Sequence, residues 1–183
     1  MTNTLNTREK LLCQGRRLLW TKGYSPVSLR QIAKAAEVDV ALISRYFGGK
    51  MGLFDATLED AFDDASAFPV TPDALVDAMT RLFVTTPRGE DMPTVVRMIL
   101  SNAHDDEVGE KVRQLTDAHF YKPLLTVIGT PPRTLLFISV LFGIIVTEKT
   151  LKLPDYPSPQ SRDYEHMLRH MMTAALDYSG DRS

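Results

Sequence analysis

The sequence predicts an all-α protein. A three-helix N-terminal head carrying a helix-turn-helix spans residues 1–50, a C-terminal helical bundle spans 51–183, and there are about nine helices in all. Three observations predict it. Apolar residues recur at intervals of three and four along most of the chain, and no stretch reads convincingly as a strand. Gly and Pro sit mostly at the breaks between these stretches rather than in low-complexity runs. The segment Ser28–Lys50, SLRQIAKAAEVDVALISRYFGGK, reads as two short helices joined by a tight turn, the geometry that lays a second helix in a DNA major groove.

Thr7 opens the first helix as its cap, with Leu11, Leu12, Gly15, Leu18 and Leu19 on one face and a stop near Lys22-Gly23. Ser28 is an N-cap, and Gln31 three residues later completes a capping box. Ile32, Ala33 and Ala36 form the apolar stripe of this second helix, and Glu37 to Asp39 break it. Asp39 caps a third helix running to about Phe47. Ala33 is small enough for it to cross closely, with Val38, Ile43 and Phe47 facing inward and Val40, Ala41, Leu42, Ser44 and Arg45 outward. Gly48-Gly49 then breaks the chain before a long helix from Lys50, with Leu53, Phe54, Leu58, Ala61 and Phe62 inward and Glu59, Asp60, Asp63 and Asp64 on a solvated face.

The pattern stays helical beyond. Thr71-Pro72 opens a helix as cap and first residue, with Leu75, Met79, Leu82 and Phe83 along it. Another runs from Asp91 to about His104. Asp105 or Asp106 opens a longer one through Val112, Leu115, Phe120, Leu124 and Ile128, closed by Gly129 and kinked or locally broken by Pro123. Pro131-Pro132 begins a strongly apolar helix to about Leu151. A last helix from about Ser161 places Tyr164, Leu168, Met171, Ala175 and Tyr178 on one stripe.

Charge divides the same way. Residues 1–54 hold nine Lys/Arg against three acids, net +6, and residues 55–183 hold twelve against twenty, net −8. The overall −2 therefore hides a basic head on an acidic body. A duplex carries about one phosphate charge per 1.7 Å of axis, so a basic head is the electrostatic footprint of a DNA binder. Cys13 is the single cysteine, which leaves no internal disulfide and suits a reducing interior. Residues 1–6 lack the apolar core of a signal peptide. Leu135 to Val146, the longest apolar run, is short of the roughly 20 residues that span a bilayer. A soluble cytoplasmic protein with no membrane partner is expected.

At this point the chain resembles the tetracycline-repressor (TetR) family of transcriptional regulators. The resemblance rests on Gly23-Tyr24, Ser28-Leu29-Arg30, Ile32-Ala33, Ala36, Val38, Tyr46-Phe47 and Lys50, and runs from Thr7 to about Leu58. It implies a homodimer whose heads bind adjacent major grooves of double-stranded DNA. It also implies a small-molecule effector that binds the C-terminal domain, moves the fourth helix and releases DNA, as in a repressor. Three positions depart from the family pattern. Glu37 stands where Gly is usual, and a left-handed conformation there costs roughly 1–2 kcal/mol. Ser44 replaces a frequent Tyr, and Gly49 a frequent Ser cap.

Roles follow residue by residue. Val40, Ala41 and Leu42, at the start of the recognition helix, can contact thymine methyls or shape the fit. Arg45 can fork onto guanine O6 and N7 or settle on a phosphate, and Arg30 is the second candidate for guanine. Phosphate contacts are expected from Ser28, Ser44, Tyr46 and Lys50, although the Tyr46 ring could equally cover the small core. Lys50 at a helix start opposes the helix dipole, a conflict that a phosphate would resolve. Leu135 to Val146, apolar all round, must bury both faces, one inside the subunit and one against a partner in a four-helix bundle. The resemblance implies an apolar effector pocket, for which Met79, Phe83, Met98, Leu115, His119 and Phe120 are candidates. These same residues could be plain core.

Nothing in the pattern indicates an enzyme, a cofactor or a metal. His166 and His170 have the i, i+4 spacing of a metal-binding pair, but no protease-type Glu follows His166 and no third ligand is evident. His104-Asp105-Asp106 resembles a helix-capping junction. Two alternatives stay open: a head that serves protein assembly rather than DNA, and a metal-dependent enzyme in the C-terminal domain.

Overall fold

The computed structural model describes residues 6–59, 61, 69–85 and 94–179. Among these there is no strand. The helices are α1 Thr7–Lys22, α2 Leu29–Ala36, α3 Ala41–Phe47, α4 Lys50–Leu58, α5 Pro72–Thr85, α6 Val95–Asn102, α7 Gly109–Thr116, α8 Lys122–Ile128, α9 Pro131–Ile144 and α10 Arg162–Leu176. Two π-helical segments, Asp117–Tyr121 and Ile145–Thr150, continue α7 into α8 and extend α9. Counting α7 and α8 as one element gives nine among the described residues.

Backbone proximity divides the chain into two compact units. The first comprises Met1–Asp64 with Asp91–Thr116, and the second Ala65–Glu90 with Asp117–Ser183. These units part at 64, 90 and 116, because α4 and α6 both pack on α1 and α7 packs on α6.

In the first unit, α1 is the central strut. Its cap is Asn6 rather than Thr7: the Asn6 side chain accepts the Glu9 N–H at 3.0 Å, and Glu9 accepts the Asn6 N–H at 2.8 Å. Asn is at least as good a cap as Thr, and here the pair closes a full capping box. Leu11, Gly15, Leu18 and Leu19 are buried along α1. A Cβ at Gly15 would lie 3.1 Å from the Leu53 side chain, so α1 and α4 approach closely there. Gly23 ends α1 at φ 91°, as the sequence requires. The turn into α4 is tighter still. A Cβ at Gly52 would lie 1.8 Å from the Phe47 carbonyl oxygen, which only glycine accommodates. Leu53, Phe54 and Leu58 are buried as expected; Asp60, Phe62, Asp63 and Asp64 lie outside the described residues. Helix α6 starts at Val95, because Thr94 is extended and caps it by accepting the Arg97 N–H. The expected start at Asp91 lies outside the described residues. Asp105 accepts the Glu107 and Val108 N–H groups and closes the turn leading to α7.

The second unit packs α10 on α5 and α9, and α8 on α9. Thr71 caps α5 by accepting the Ala74 N–H, with Pro72 in the first helical position. Leu75, Val76, Phe83, Leu124, Phe137, Leu141, Tyr164, Leu168 and Met172 form the core. Leu82 does not join it and is 54% exposed. Pro123 has no N–H to donate and its ring crowds the carbonyl one turn back; the π segment Asp117–Tyr121 just before it widens the turn, the form that the expected break takes. Gly129 closes α8 at φ 88°. On α10 the buried stripe is Tyr164, Leu168, Met172 and Ala175, with Met171 half-buried and Tyr178 exposed beyond the helix end. The Tyr164 hydroxyl donates to Glu148 at 2.6 Å, and the Arg133 guanidinium donates to the Tyr178 carbonyl at 2.9 Å.

Helix α9 buries one of its faces within this chain. Thr134, Phe137, Leu141 and Ile144 are buried, whereas Leu135, Leu136, Ser139 and Gly143 are exposed on this chain alone. By length and composition Pro131–Glu148 is apolar enough to cross a membrane, but a core or interface helix passes the same test. Its buried stripe packs on α8 and α10.

Glu37 carries the left-handed conformation that its position demands, at φ 56° and ψ 45°. Replacing it with Gly removes the Cβ penalty of roughly 1–2 kcal/mol, partly offset by glycine's larger entropy loss. Glu37→Gly is therefore expected to raise the unfolding free energy by about 1 kcal/mol, read as a higher urea midpoint at unchanged slope.

Candidate nucleic-acid interface

Short-range chemistry builds the head. The Ser28 hydroxyl accepts the Gln31 N–H at 3.3 Å and donates to Gln31 Oε1 at 2.9 Å, while the Ser28 N–H donates to the same oxygen at 2.7 Å. The capping box is complete, and the single hydroxyl proton of Ser28 is committed to it. The α2 C-terminus closes in a Schellman pattern. The Glu37 N–H reaches the Lys34 carbonyl at 3.2 Å and the Val38 N–H the Ala33 carbonyl at 3.0 Å. Asp39 then caps α3 by accepting the Ala41 N–H at 2.7 Å.

This turn presents α3 with Ile43 fully buried and Val38 and Phe47 half-buried. Val40, Ala41, Ser44, Arg45 and Tyr46 are exposed, as are Ser28 and Arg30 on the α2 side. Leu42 differs: expected to point outward, it is half-buried. The Tyr46 ring is 43% exposed and meets Phe47 edge-on at 6.4 Å, so it rests on the rim of the core without being enclosed by it. Arg8 lies over the other aromatic, 5.2 Å from the Phe47 ring. Among the described residues, the guanidinium groups of Arg30 and Arg45 make no ion pair.

Lys50 is half-buried at the first position of α4, and no side chain caps the preceding Gly49. Its ammonium lies 4.2 Å from the centre of the Tyr24 ring. A cation over an aromatic face is attracted by the ring quadrupole, which eases the conflict with the helix dipole. Tyr24 is buried and edge-on to Phe54 at 5.4 Å. Burial, then the negative charge of the Glu107 carboxylate, hold that hydroxyl above the usual tyrosine range.

Sequence reasoning missed the corner between α6 and α7 that holds this tyrosine. Asn102 is fully buried. Its carbonyl oxygen accepts the Tyr24 N–H at 2.7 Å, and its amide donates to the Leu19 carbonyl at 3.1 Å and the Met98 carbonyl at 2.9 Å. Asp105 accepts the Ser25 N–H at 3.0 Å. A polar residue in the core register of an apolar helix is the one signal that marked Asn102 in advance. The α4 and α7 helices are also tied by Lys111 to Asp55 at 2.6 Å.

The six effector-pocket candidates divide between the units. Met98 is buried and Leu115 half-buried in the first. In the second, Phe83 is buried, Met79 packs against the core, and Phe120 meets Phe142 edge-on at 6.1 Å. His119, expected among them as a polar group, is exposed on the π segment. His166 and His170 are both exposed on α10, and no cluster of three metal-ligating side chains occurs among the described residues.

Two family models match the chain. Residues 11–57 match bacterial regulatory proteins of the tetR family, and residues 73–176 match the tetracyclin repressor-like C-terminal domain. A curated relative, the probable HTH-type transcriptional regulator YttP of Bacillus subtilis (strain 168), is 39% identical over 62 residues. That match spans about a third of either protein, 34% of this chain and 30% of the relative. Among solved structures, SCO4454, a TetR-family transcriptional regulator from Streptomyces coelicolor, superposes with a TM-score of 0.63 at 19% identity, covering 93% of this chain and 94% of the other. Mycobacterium smegmatis AmtR superposes with a TM-score of 0.62 at 19% identity, covering 98% and 90%. At that identity the likeness to the solved structures is one of fold.

The corner generates a pH prediction. Desolvation opposes ionisation of Asp105, but hydrogen bonds from Ser25, Glu107 and Val108 outweigh it and hold its carboxyl below the usual range. A carboxyl lowered in the folded state stabilises the fold above its unfolded pKa, and that contribution is lost as pH falls through the folded value. Thermal melts are expected to show a loss of stability below about pH 4. Asp105→Asn should cost about 1 kcal/mol at pH 7 and shrink that acid-dependent loss.

Proposed function

The chain belongs to the tetR family of bacterial regulatory proteins, transcriptional regulators rather than enzymes, and on that premise we propose that it is a homodimeric, effector-released repressor of a palindromic operator. The observation that carries the reading is the helix-turn-helix itself: a capped α2, a left-handed turn at Glu37, and an α3 whose exposed side is Val40, Ala41, Ser44, Arg45 and Tyr46.

Residues 1–50 serve as the DNA-binding domain and 51–183 as the effector and dimerisation domain. Arg45 and Arg30, exposed and in no ion pair among the described residues, supply the polar base readout. Val40 and Ala41 supply apolar contacts, with half-buried Leu42 shaping the fit. Ser44, Tyr46 and Lys50 contact phosphates. Ser28 contributes chiefly as a cap, since its hydroxyl reaches a phosphate only by leaving Gln31. The effector is an apolar small molecule, for which Met79, Phe83 and Phe120 of the second unit are the candidate apolar contacts and the exposed His119 a polar one. The setting is the cytoplasm.

The exposed side of α9 supports dimerisation. Leu135, Leu136, Ser139 and Gly143 leave an apolar surface, and nothing lies within 4 Å of a Cβ built on Gly143. Small residues beside leucines let a second helix approach closely. Paired heads then read half-sites about one helical turn apart.

Selection of genomic fragments by the purified protein, followed by footprinting, tests the reading. Enrichment of a palindrome with half-sites about 34–36 Å apart is expected; no enrichment at low salt would contradict it. On the selected duplex, Arg45→Ala is expected to weaken specific binding by about 1–3 kcal/mol with a much smaller effect on random DNA. Equal losses on both would reassign Arg45 to a phosphate. Leu136→Glu, which places a charge on the exposed α9 face, is expected to convert the dimer to monomer in sedimentation.

A further inference from the structure

Lys50 is the candidate phosphate contact with an unfavourable place in its helix, and the structure shows what holds it. The ammonium rests on the Tyr24 ring at 4.2 Å. Phe54 meets that ring edge-on at 5.4 Å, and Asn102 accepts the Tyr24 backbone N–H at 2.7 Å. Asp105 holds the next residue, Ser25, by its N–H, and a Cβ on Gly23 would stand 3.1 Å from the Ser101 carbonyl. The segment Gly23–Ser25 therefore lies against the α6–α7 corner, Ser101 to Glu107, along its whole length.

We propose that the α6–α7 corner is a positioning element for DNA binding: Asn102 and Asp105 fix the Tyr24–Ser25 backbone, and the Tyr24 ring holds the Lys50 ammonium ready for a phosphate. The proposal rests on the reading of Lys50 as a phosphate contact. Two features make the corner more than packing. Asn102 is buried with its carbonyl oxygen and amide both committed, so moving α6 by a hydrogen-bond length strands the Tyr24 N–H or the Leu19 carbonyl. Among the described residues Lys50 makes no ion pair, so the ring is the contact that orients it. Displacement of the corner removes the platform and weakens binding in its sequence-independent part, leaving the base contacts of α3 in place.

The test is a mutant cycle read by titration of a fluorescent selected duplex over a series of salt concentrations. Lys50→Ala is expected to weaken binding about three- to tenfold and to lower the salt slope by about one. Tyr24→Leu is expected to reproduce that loss of slope, Tyr24→Phe to keep it, and Tyr24→Leu to cost little more once Lys50 is Ala. Asp105→Ala removes the acceptor of the Ser25 N–H, with folding checked by circular dichroism. Removing an acid from a DNA-binding head would by itself tighten binding, whereas loss of positioning weakens it, here by about two- to threefold, and the weakening disappears in the Lys50→Ala background. Losses at Tyr24 and Lys50 that simply add, or an Asp105→Ala protein that binds as well as or better than the parent, overturn the coupling. An unchanged slope in Lys50→Ala overturns the phosphate contact first and the coupling with it.

Discussion

The close approach of α1 and α4 at Gly15 and Leu53 is the constraint on which the head depends. With no Cβ at Gly15, the Leu53 side chain sits where only hydrogen would otherwise fit, and the two helices share one core through Leu11, Leu18, Leu19 and Phe54. Helices α2, α4 and α6 all pack on α1, so its axis sets theirs. Each fully buried leucine contributes about 1.5–3 kcal/mol by removing apolar surface from water. That burial stabilises the strut but does not aim anything. The aim comes from α2, whose end is fixed by the Schellman bonds at Glu37 and Val38, and from Asp39, which starts α3 within two residues.

Polar bonds decide what apolar packing leaves open. Trp20 donates to the Thr57 hydroxyl at 3.0 Å, and Arg16, lying over the Trp20 ring at 5.1 Å, donates to the Thr57 carbonyl at 3.0 Å. These bonds fix the C-terminal end of α4 against α1, as the Tyr24 and Lys50 contact fixes its N-terminal end. A made hydrogen bond is worth about 1 kcal/mol net, but a buried partner left unsatisfied costs about 1–3 kcal/mol. The asymmetry makes Asn102 a register device: α6 can sit in one place on α1 without stranding a polar group. The same end of α4 that carries Lys50 is thus tied through Tyr24 to Asn102, 78 positions after Tyr24 in sequence.

Much of this was legible in the sequence because it is local. The Ser28–Gln31 box, the break at Glu37, the Asp39 cap, the glycine stops at 23 and 129, and the proline starts at 72 and 131 each need only a few neighbouring residues, and each is present. The shift of the first cap from Thr7 to Asn6 reflects two adjacent capping residues, of which only Asn6 has Glu three positions on. What was not legible depends on pairing across the chain. Periodicity placed Leu42, Leu82 and Tyr178 by their chemistry, but their exposure is decided by which helix stands opposite. The uniformly apolar stretch of α9 could not say which side packs inside the chain; among the described residues that side is Thr134, Phe137, Leu141 and Ile144. The grip of the buried Tyr24 on Lys50 needs the two to meet in space.

The central claim is that the α2–α3 surface and the start of α4 are where this protein meets DNA. Hydrogen–deuterium exchange of the protein with and without a selected duplex addresses it most directly, because α2 and α3 are short and expose much of their surface. The account predicts slowed exchange concentrated over residues 28–50, with the strongest protection at α3 and at the Gly49–Lys50 junction. Protection confined to α5–α10, with residues 28–50 exchanging as in the free protein, would contradict it.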